Sequence, residues 1–189
     1  MAGKMNFDDL VSRIRAKPGL GKAKVPSFDP KNGNEVAKYL FLMEAPGPKA
    51  KTSGIISFEN DDPTANNLKK QLNEAGIDRR DIALWNVVPW FIGKKDGKSI
   101  RAATGRDVKF GCKYLEPLVG AMPKLKCIVL VGGAARRAHL DLSGMTTARI
   151  VCCHHPSGRV MNLNKAAKKE NVKIFQFVKK TTEQRNDHK

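Results

Sequence analysis

The sequence predicts an α/β protein, a three-layer αβα sandwich around a central, mainly parallel sheet of four strands. Short apolar runs of strand length alternate along the chain with amphipathic stretches of helical period. This alternation is typical of β-α-β units, which build parallel sheets covered by helices on both faces. The 189 residues and a hydrophobic content of 41% fit one core, so we expect a single domain over residues 1–189.

The N-terminal part of the chain, residues 1–34, is expected to be one helix followed by a loop. Apolar side chains follow i, i+3, i+4, i+7 spacing over residues 6–14, and Asn6 is a suitable N-cap. Residues 17–34 then collect Gly, Pro, Lys and Asn without periodicity, which indicates a loop.

Four apolar runs predict the strands of the sheet, at residues 39–43, 82–88, 127–131 and 150–153. Between them the pattern predicts helices over residues 64–75 (capped by Thr64 and ended by Gly76), around Tyr114 to Leu118, over residues 134–140, and from 165 to about 180. In the last helix Ile174, Phe177 and Val178 are expected to face inward. Residues 91–107 are interpreted as a basic loop, and the polar tail 181–189 is expected to fray.

The charge balance points to a polyanionic partner. The chain carries 35 Lys and Arg against 18 Asp and Glu, a formal net charge of +17. Small domains usually carry a net charge of magnitude about 2–8, and a polyanion such as a nucleic acid relieves the self-repulsion of a larger charge. No apolar stretch is long enough for a membrane span, and the N-terminus lacks the apolar region of a secretory signal. The four cysteines do not form a disulfide framework, so we expect a reduced, cytoplasmic protein.

Polar side chains follow three of the four predicted strands. Glu44 follows the first strand, Asn86 lies in the second, and His154 and His155 follow the fourth. The carboxyl ends of parallel strands meet at one edge of a sheet, where ligands bind, so these positions are candidates for a common site. Successive strand residues point to opposite faces, so at most one of the two histidines faces a given cleft.

Each of these positions also has an ordinary structural explanation. The segment from Glu44 to Pro48 fits a plain strand-to-loop turn. A buried amide such as Asn86 loses about 1–3 kcal/mol unless it is hydrogen-bonded, and bracing a loop is its commoner role, although its paired donor and acceptor also fit the edge of a base. A single histidine at a strand end is more often structural than catalytic.

Metal and phosphate motifs are weak in this chain. The run from Cys152 to His155 contains ligand residue types, but four adjacent strand residues make a poor tetrahedral cage and no second ligand pair has suitable spacing. We therefore predict no metal site. The pair Gly132 and Gly133 lies at a strand-to-helix turn without a GxGxxG or GxxxxGK[ST] pattern, so it is assigned to a tight turn and close helix packing.

The three strand-end motifs together resemble the uracil-DNA glycosylase superfamily. They are most similar to the bacterial and archaeal branch whose first motif reads Gly-Glu-Ala-Pro-Gly. The resemblance runs from about Tyr39 to the C-terminal helix and includes residues 53–58, the Gly132 turn and the His-Pro-Ser motif at residues 155–157. It implies hydrolysis of the N-glycosidic bond of uracil in DNA, which requires the nucleotide to be extruded from the duplex.

The resemblance also implies a role for each matching residue. Glu44 would orient or activate the water, and His155 would donate a hydrogen bond to the departing uracil. Asn86 would read the uracil edge. The further implied contacts are base stacking by Phe58, pocket backbone from Ala45 and Pro46, contacts to the DNA backbone from Pro48, Lys49 and Ser157, and insertion into the emptied base stack by Arg159 or Met161.

The sequence departs from the family pattern in three places. Met43 replaces the first glycine of the first motif. The N-terminal region has no cysteine, so we predict no iron–sulfur cluster and no cofactor. Trp85 and Trp90 flank Asn86 and are expected to alter the pocket shape.

Two alternatives stay open from these departures. A non-catalytic nucleic-acid-binding protein on the same fold is favoured by Met43. A glycosylase for another base, such as hypoxanthine or mismatched thymine, is favoured by the two tryptophans. In each case the partner is DNA and the protein is expected to be a monomer.

The excess positive charge is expected to concentrate on the rim of the site. This rim comprises Lys49, Lys51, Lys94, Lys95, Lys98, Arg101 and Arg159. Helix lysines at positions 69, 70, 168 and 169 would add a weaker background.

Overall fold

The computed structural model describes residues 5–21, 24–93 and 99–183. The helices are α1 (Phe7–Arg15), α2 (Pro48–Ser53), α3 (Pro63–Glu74), α4 (Gly105–Cys112), α5 (Leu115–Gly120), α6 (Gly132–Arg136), α7 (His139–Ser143), α8 (Gly158–Leu163) and α9 (Ala167–Glu183). The strands are β1 (Ser27–Phe28), β2 (Tyr39–Met43), β3 (Ile55–Ile56), β4 (Ile82–Asn86), β5 (Cys127–Val131) and β6 (Arg149–Cys153). No helix within these ranges is long and apolar enough to cross a membrane.

Four of the strands form the central sheet in the order β4-β2-β5-β6, and every pairing between them is parallel. The predicted α/β class with a parallel four-stranded sheet is therefore confirmed. The connection after β2 leads to β4 on one side, whereas the connection after β5 leads to β6 on the other. The strand order thus reverses between β2 and β5. In open α/β sheets ligands bind beside such a point, at the carboxyl ends of the strands.

Helices cover both faces of the sheet because the central strand β2 is apolar on both sides. Phe41 packs edge-on against Phe175 of α9, with 5.3 Å between ring centroids. On the opposite face Trp85 of β4 stacks on Phe28 at 3.9 Å, and Phe28 stacks on Phe7 of α1 at 4.0 Å. These contacts bury five aromatic rings on the two faces of the sheet, which explains the unbroken hydrophobic runs in the strands.

The N-terminal helix confirms its predicted cap, and the loop that follows it contains a strand. Asn6 and Asp9 form a capping box at the start of α1. Residues 27 and 28, predicted as loop, form β1, which pairs in parallel with β3. The apolar signal of two residues is too short to be separated from a loop by periodicity.

Several predicted element boundaries were wrong. Helix α3 is capped by Asp62 rather than Thr64, because the Asp62 carboxylate accepts from the Ala65 N–H and Pro63 occupies the first helical turn. Its predicted end is right, since Gly76 has a φ of +68°. The basic loop 91–107 was predicted too long, because Thr104 and Asp107 form a capping box that begins α4.

Three further stretches differ from the predicted pattern. The predicted helix over 134–140 is two short helices, α6 and α7, and the loops after the first and fourth strand motifs contain α2 and α8. The regular part of the second strand ends at Asn86, although the N–H groups of Val87 and Val88 still donate to the chain around β2.

The C-terminal helix is longer than predicted and differs in its inward face. It extends to Glu183, so residues 181–183 are helical; the rest of the predicted frayed tail lies outside the described residues. Phe177 is half exposed rather than inward, and the guanidinium of Arg149 lies 5.2 Å from its ring centroid. Val178 is buried as predicted, and the buried face also carries Phe175 together with the polar Asn171 and Thr182.

Candidate active site

A cavity of about 370 Å³ lies at the carboxyl edge of the sheet, beside the point where the strand order reverses. Its walls come from the ends of β2 and β4, the segment after β6, and the N-terminal parts of α2 and α3. Nine of the eleven predicted site residues line it, namely Glu44, Ala45, Pro46, Pro48, Lys49, Phe58, Asn86, His155 and Ser157. The fold therefore brings together residues that are far apart in the chain, from Glu44 to Ser157.

The Glu44 carboxylate is held by a backbone group from a distant loop. Its Oε1 accepts from the N–H of Ala103 at 2.6 Å, and Ala103 is 4% exposed. The backbone of Glu44 is fixed as well, since its carbonyl accepts from the Val88 N–H at 3.0 Å. With Oε1 engaged by a charge-assisted hydrogen bond, Oε2 is the carboxylate oxygen left to act on another group.

The hydrogen bonding of His155 defines its tautomer. Its Nδ1 accepts from the Ser157 N–H at 3.2 Å, which places the proton of the neutral ring on Nε2. Burial lowers the pKa of His155, and the nearby carboxylates of Glu44 and Asp62 oppose this in part. A neutral imidazole with an Nε2 proton is a hydrogen-bond donor.

A glycine lets His155 pack closely against the neighbouring strand. Gly132 has a φ of +83°, and a Cβ at this position would lie 2.9 Å from the His155 Cβ. Any other residue would be strained in this backbone conformation and would displace the imidazole. The turn predicted for Gly132 thus also sets the position of a site residue.

Asn86 is a buried amide with a free donor. The residue is 2% exposed and lines the cavity, and its Nδ2 has no hydrogen-bond partner among the described residues. An unpaired buried donor destabilises a protein by about 1–3 kcal/mol. A loop-bracing role would give this amide a partner, so its environment fits ligand recognition better than bracing.

Phe58 forms one wall of the cavity and is held from behind. It is 5% exposed, and the guanidinium of Arg79 lies 4.6 Å from its ring centroid. Arg79 is itself fixed by ion pairs with Asp29 at 2.5 Å and Glu59 at 3.0 Å. The ring is therefore a rigid apolar surface facing the cavity.

The residues expected to contact the DNA backbone have different surroundings. Pro48 occupies the first turn of α2, and the Lys49 ammonium lies 3.9 Å from Asp61 with both side chains largely exposed. Ser157 caps α8, accepting from the Val160 N–H at 3.4 Å. Arg159 is exposed.

The two residues expected to insert into the base stack, Arg159 and Met161, do not line the cavity. Met161 is turned towards α3, where its sulfur accepts from the Gln71 amide at 3.4 Å. Of the two, only Arg159 is free in this structure to point away from the protein.

The positive rim is only partly open to a partner. Arg101, expected on it, makes two bonds to Asp107 at 2.7 and 2.9 Å. Of the helix lysines outside the rim, Lys69 pairs with Glu59 and Lys168 pairs with Glu74, each at 2.9 Å. Lys94, Lys95 and Lys98 lie outside the described residues.

The cavity contains residues that sequence reasoning missed. These are Asp62 and Ile100; Met43, which the sequence marks as a departure from the family motif, lines the cavity as well. Asp62 precedes a proline at a helix start, a pattern that identifies a helix cap, but nothing in the sequence places it beside His155. Trp85 and Trp90 do not line the cavity, contrary to the expectation that they shape it. Trp85 is fully buried against Phe28, on the core side of β4.

The residues do not fit a metal or iron–sulfur cluster. Within residues 5–21, 24–93 and 99–183, no group of three or more His, Cys, Asp or Glu side chains could hold a metal ion. All four cysteines are free thiols, at positions 112, 127, 152 and 153. Burial raises the pKa of Cys153 to about 12, which disfavours the thiolate that a metal ligand requires.

Comparison with known proteins agrees with this geometry. A solution NMR structure of a protein from Methanosarcina acetivorans, described as a candidate uracil DNA glycosylase, matches with a TM-score of 0.51 at 18% identity, over 77% of this chain and 92% of that chain. At this identity the likeness shows a shared fold. A comparison with curated proteins gives no match. The model of the family described as "Uracil DNA glycosylase superfamily" matches residues 30–179, and the chain therefore belongs to this superfamily.

Proposed function

We propose that this protein is a monofunctional DNA glycosylase that hydrolyses the N-glycosidic bond of uracil in DNA and leaves an abasic site. Membership of the superfamily supports a DNA glycosylase function. The observation that carries the uracil assignment is the buried Asn86 amide, whose free Nδ2 lies in the same cavity as Glu44 and His155. The substrate is an extruded nucleotide, because the bond is out of reach inside a stacked duplex. We further propose that the protein acts as a monomer.

Glu44 acts at the sugar. As the glycosidic bond breaks, positive charge grows on the sugar and a water oxygen forms the new bond to its anomeric carbon. The free Oε2 of Glu44 orients this water and offsets the sugar charge, while Ala103 holds Oε1 at 2.6 Å. A fixed carboxylate needs no reorganisation in the transition state.

His155 acts at the base. The electron pair of the broken bond goes to uracil, which leaves as an anion. The Nε2 proton of His155 donates a hydrogen bond to this developing negative charge. Because burial lowers the pKa of His155, the ring is neutral at pH 7 and donates without giving up its proton.

Asn86 discriminates between bases. Its oxygen would accept from N3–H of uracil and its free Nδ2 would donate to O4, whereas cytosine presents the reversed pattern at these two atoms. A site that leaves buried polar groups unpaired with the wrong ligand rejects it strongly. Phe58, held rigid by Arg79, stacks on the extruded base.

A product assay tests this function. Incubation with a uracil-containing oligonucleotide, followed by alkaline cleavage, should give strand breakage that an oligonucleotide with thymine at the same position does not. His155→Ala and Glu44→Gln should each lower kcat by about 10²–10⁴-fold while DNA affinity stays nearly unchanged. Asn86→Leu should remove the preference for uracil. Absence of cleavage above a no-enzyme control would refute the proposal, and equal loss of turnover and folding would make these residues structural.

Met43 supports one competing function. It occupies the first position of the first motif and lines the cavity together with Glu44. If it blocks the water, the protein is a DNA-binding module that has kept the fold without the chemistry. Uracil-containing and ordinary DNA would then bind with equal affinity, and Met43→Gly would restore or raise turnover. A panel of other damaged bases in the same assay separates the remaining alternative, a different base specificity.

A further inference from the structure

The loop that holds Glu44 is itself fixed at every residue around the contact. Ala103 donates its N–H to Glu44 at 2.6 Å, and its carbonyl accepts from the Arg137 guanidinium at 3.0 Å. Arg137 follows helix α6, on the other side of β2 from the strand that leads into this loop. Ala103 is therefore held between two parts of the fold that are distant in sequence.

A bidentate ion pair closes the same loop. The Arg101 guanidinium bonds both oxygens of Asp107, at 2.7 and 2.9 Å, and also donates to the Ala102 carbonyl at 3.1 Å. Asp107 in turn accepts from the N–H of Thr104 at 2.7 Å. The Arg101 N–H donates to the Ile92 carbonyl at 3.1 Å, which ties the start of the loop to its other end.

This ion pair is more than a surface contact. The Asp107 side chain is only 13% exposed, and its bond to Arg101 holds the pKa of the carboxyl well below its usual range. Isolated surface pairs contribute little, but bidentate pairs within a network fix geometry. Arg101 is itself exposed, but its bonds to Asp107 partly neutralise its charge, so it is less available to a phosphate.

We infer that Arg101, Asp107 and Arg137 are positioning residues that hold the Ala103 N–H against Glu44 and thereby fix the orientation of its carboxylate towards the reacting water. The inference rests on the proposed function for its catalytic consequence. Neither Arg101 nor Asp107 nor Arg137 lines the cavity, so each acts only through Ala103. A carboxylate freed from this bond would rotate, and misplacement by about 1 Å lowers a rate by up to about 10²-fold.

The strength of the hydrogen bond from Ala103 to Glu44 can be measured without an activity assay. Amide hydrogen exchange measured by NMR should show a strongly protected Ala103 N–H in the wild-type protein. Arg101→Ala, Asp107→Asn and Glu44→Gln should each speed its exchange by about tenfold or more, because a charge-assisted bond is roughly twice as strong as a neutral one. Arg106 lies in the first turn of α4, five residues from Arg101, and has no bonded partner among the described residues. Arg106→Ala therefore removes a nearby positive charge and should leave the exchange rate of the Ala103 N–H unchanged. Wild-type exchange at Ala103 in Arg101→Ala would overturn the inference.

Kinetics then separate positioning from electrostatics, because the two members of the pair carry opposite charges. Under the inference, Arg101→Ala and Asp107→Ala both lower kcat by about ten- to a hundredfold with little change in KM. The kcat of the double variant should be no lower than that of the more impaired single variant, since both substitutions remove the same contact. If the charges act only on DNA, Arg101→Ala would raise KM, Asp107→Ala would lower it, and kcat would not change; this result would overturn the inference.

Two controls separate positioning from the effects of charge and of unfolding. Arg101→Lys keeps the charge but only one of the two bonds, so it should fall between the wild type and Arg101→Ala; a full return to wild-type kcat would mean that charge alone matters. Thermal melting of each variant identifies any loss that comes from unfolding of α4. If the wild-type protein releases no uracil, the proposed function fails, whereas the exchange rates at Ala103 still decide whether the loop is held as inferred.

Discussion

At the residue scale, the site depends on side chains whose polar atoms are already assigned to partners, leaving specific atoms free. Glu44 has Oε1 bound to Ala103, and His155 has Nδ1 bound to Ser157. Among the residues that line the cavity, Asn86 keeps a buried donor without a partner in the described part of the chain. The free atoms are Oε2, Nε2–H and Nδ2–H, one acceptor and two donors, and the proposed hydrolysis and base recognition use them together with the Asn86 oxygen.

Acidification should destabilise the protein through His155. Burial lowers its pKa in the folded state, so the unfolded chain binds more protons, and the stability present above about pH 6.5 is lost as the pH falls towards the folded pKa. The free energy of unfolding, measured with urea, should therefore decrease more between pH 8 and pH 5 for the wild type than for His155→Gln. The exposed His139 provides the control, since His139→Gln should keep the pH dependence of the wild type. Identical pH slopes for His155→Gln and the wild type would contradict this prediction.

At the element scale, two buried amides join the C-terminal helix to the segment that carries His155. Asn171 of α9 accepts from the His154 N–H at 2.8 Å and donates to the His154 carbonyl at 3.0 Å. Its Nδ2 also donates to Gln71 of α3 at 3.0 Å, and both amides are fully buried. Asn67 of α3 adds a bond to the Pro156 carbonyl at 2.9 Å. Helices α3 and α9 thus hold the backbone on either side of His155.

Loss of this bracing should lower stability. Asn171→Ala leaves the Gln71 oxygen and the His154 backbone groups without their buried partner, so we expect a loss of about 2–4 kcal/mol in the free energy of unfolding. Asn66→Ala is the matched control, because Asn66 is exposed on α3, and it should change stability by no more than about 0.5 kcal/mol. Urea denaturation followed by circular dichroism measures both. A loss for Asn171→Ala no larger than that for Asn66→Ala would show that the amide pair is not a brace.

At the scale of the whole molecule, the +17 charge is not uniformly available. Lysines on α3 and α9 pair with carboxylates, as Lys69 does with Glu59 and Lys168 with Glu74. Lys49 on α2, beside the cavity, has only a long contact to Asp61, and Arg159 on α8 is exposed. The expected concentration of charge on the cavity rim stays a prediction, and it concerns the weakly paired Lys49 and the exposed Arg159.

Salt dependence of DNA binding tests that prediction. If Lys49 and Arg159 each neutralise a phosphate, Lys49→Ala and Arg159→Ala should each reduce the slope of log affinity against log salt by about one. Lys69→Ala and Lys168→Ala remove the same charge from paired positions and should leave the slope almost unchanged. Affinity for a duplex without uracil, measured between 50 mM and 200 mM salt, gives the slopes. Equal reductions in all four variants would mean that the charge acts diffusely.

The central sheet and most of the candidate site could be predicted from the sequence alone. Uninterrupted apolar runs are a strong signal because a strand buried on both faces has no polar positions, and two of the four central strands match their predicted limits without change. The motifs after β2, β4 and β6 identified Glu44, Asn86 and His155 because parallel strands end at one edge. Short elements such as β1, α2 and α8 escaped, since a few residues carry too little periodicity.

The contacts that hold those residues in place, and the neighbours that make these contacts, are visible only in the folded chain. The bond from Ala103 to Glu44 spans 59 positions, and the bond from Asn171 to Gln71 spans 100. No local pattern encodes such pairs. The same holds for the exclusion of Trp85 from the cavity, which follows from its stacking on Phe28. Local sequence sets which residues stand at a strand end, because strand period and turn chemistry are local; the three-dimensional packing sets which of their atoms stay free.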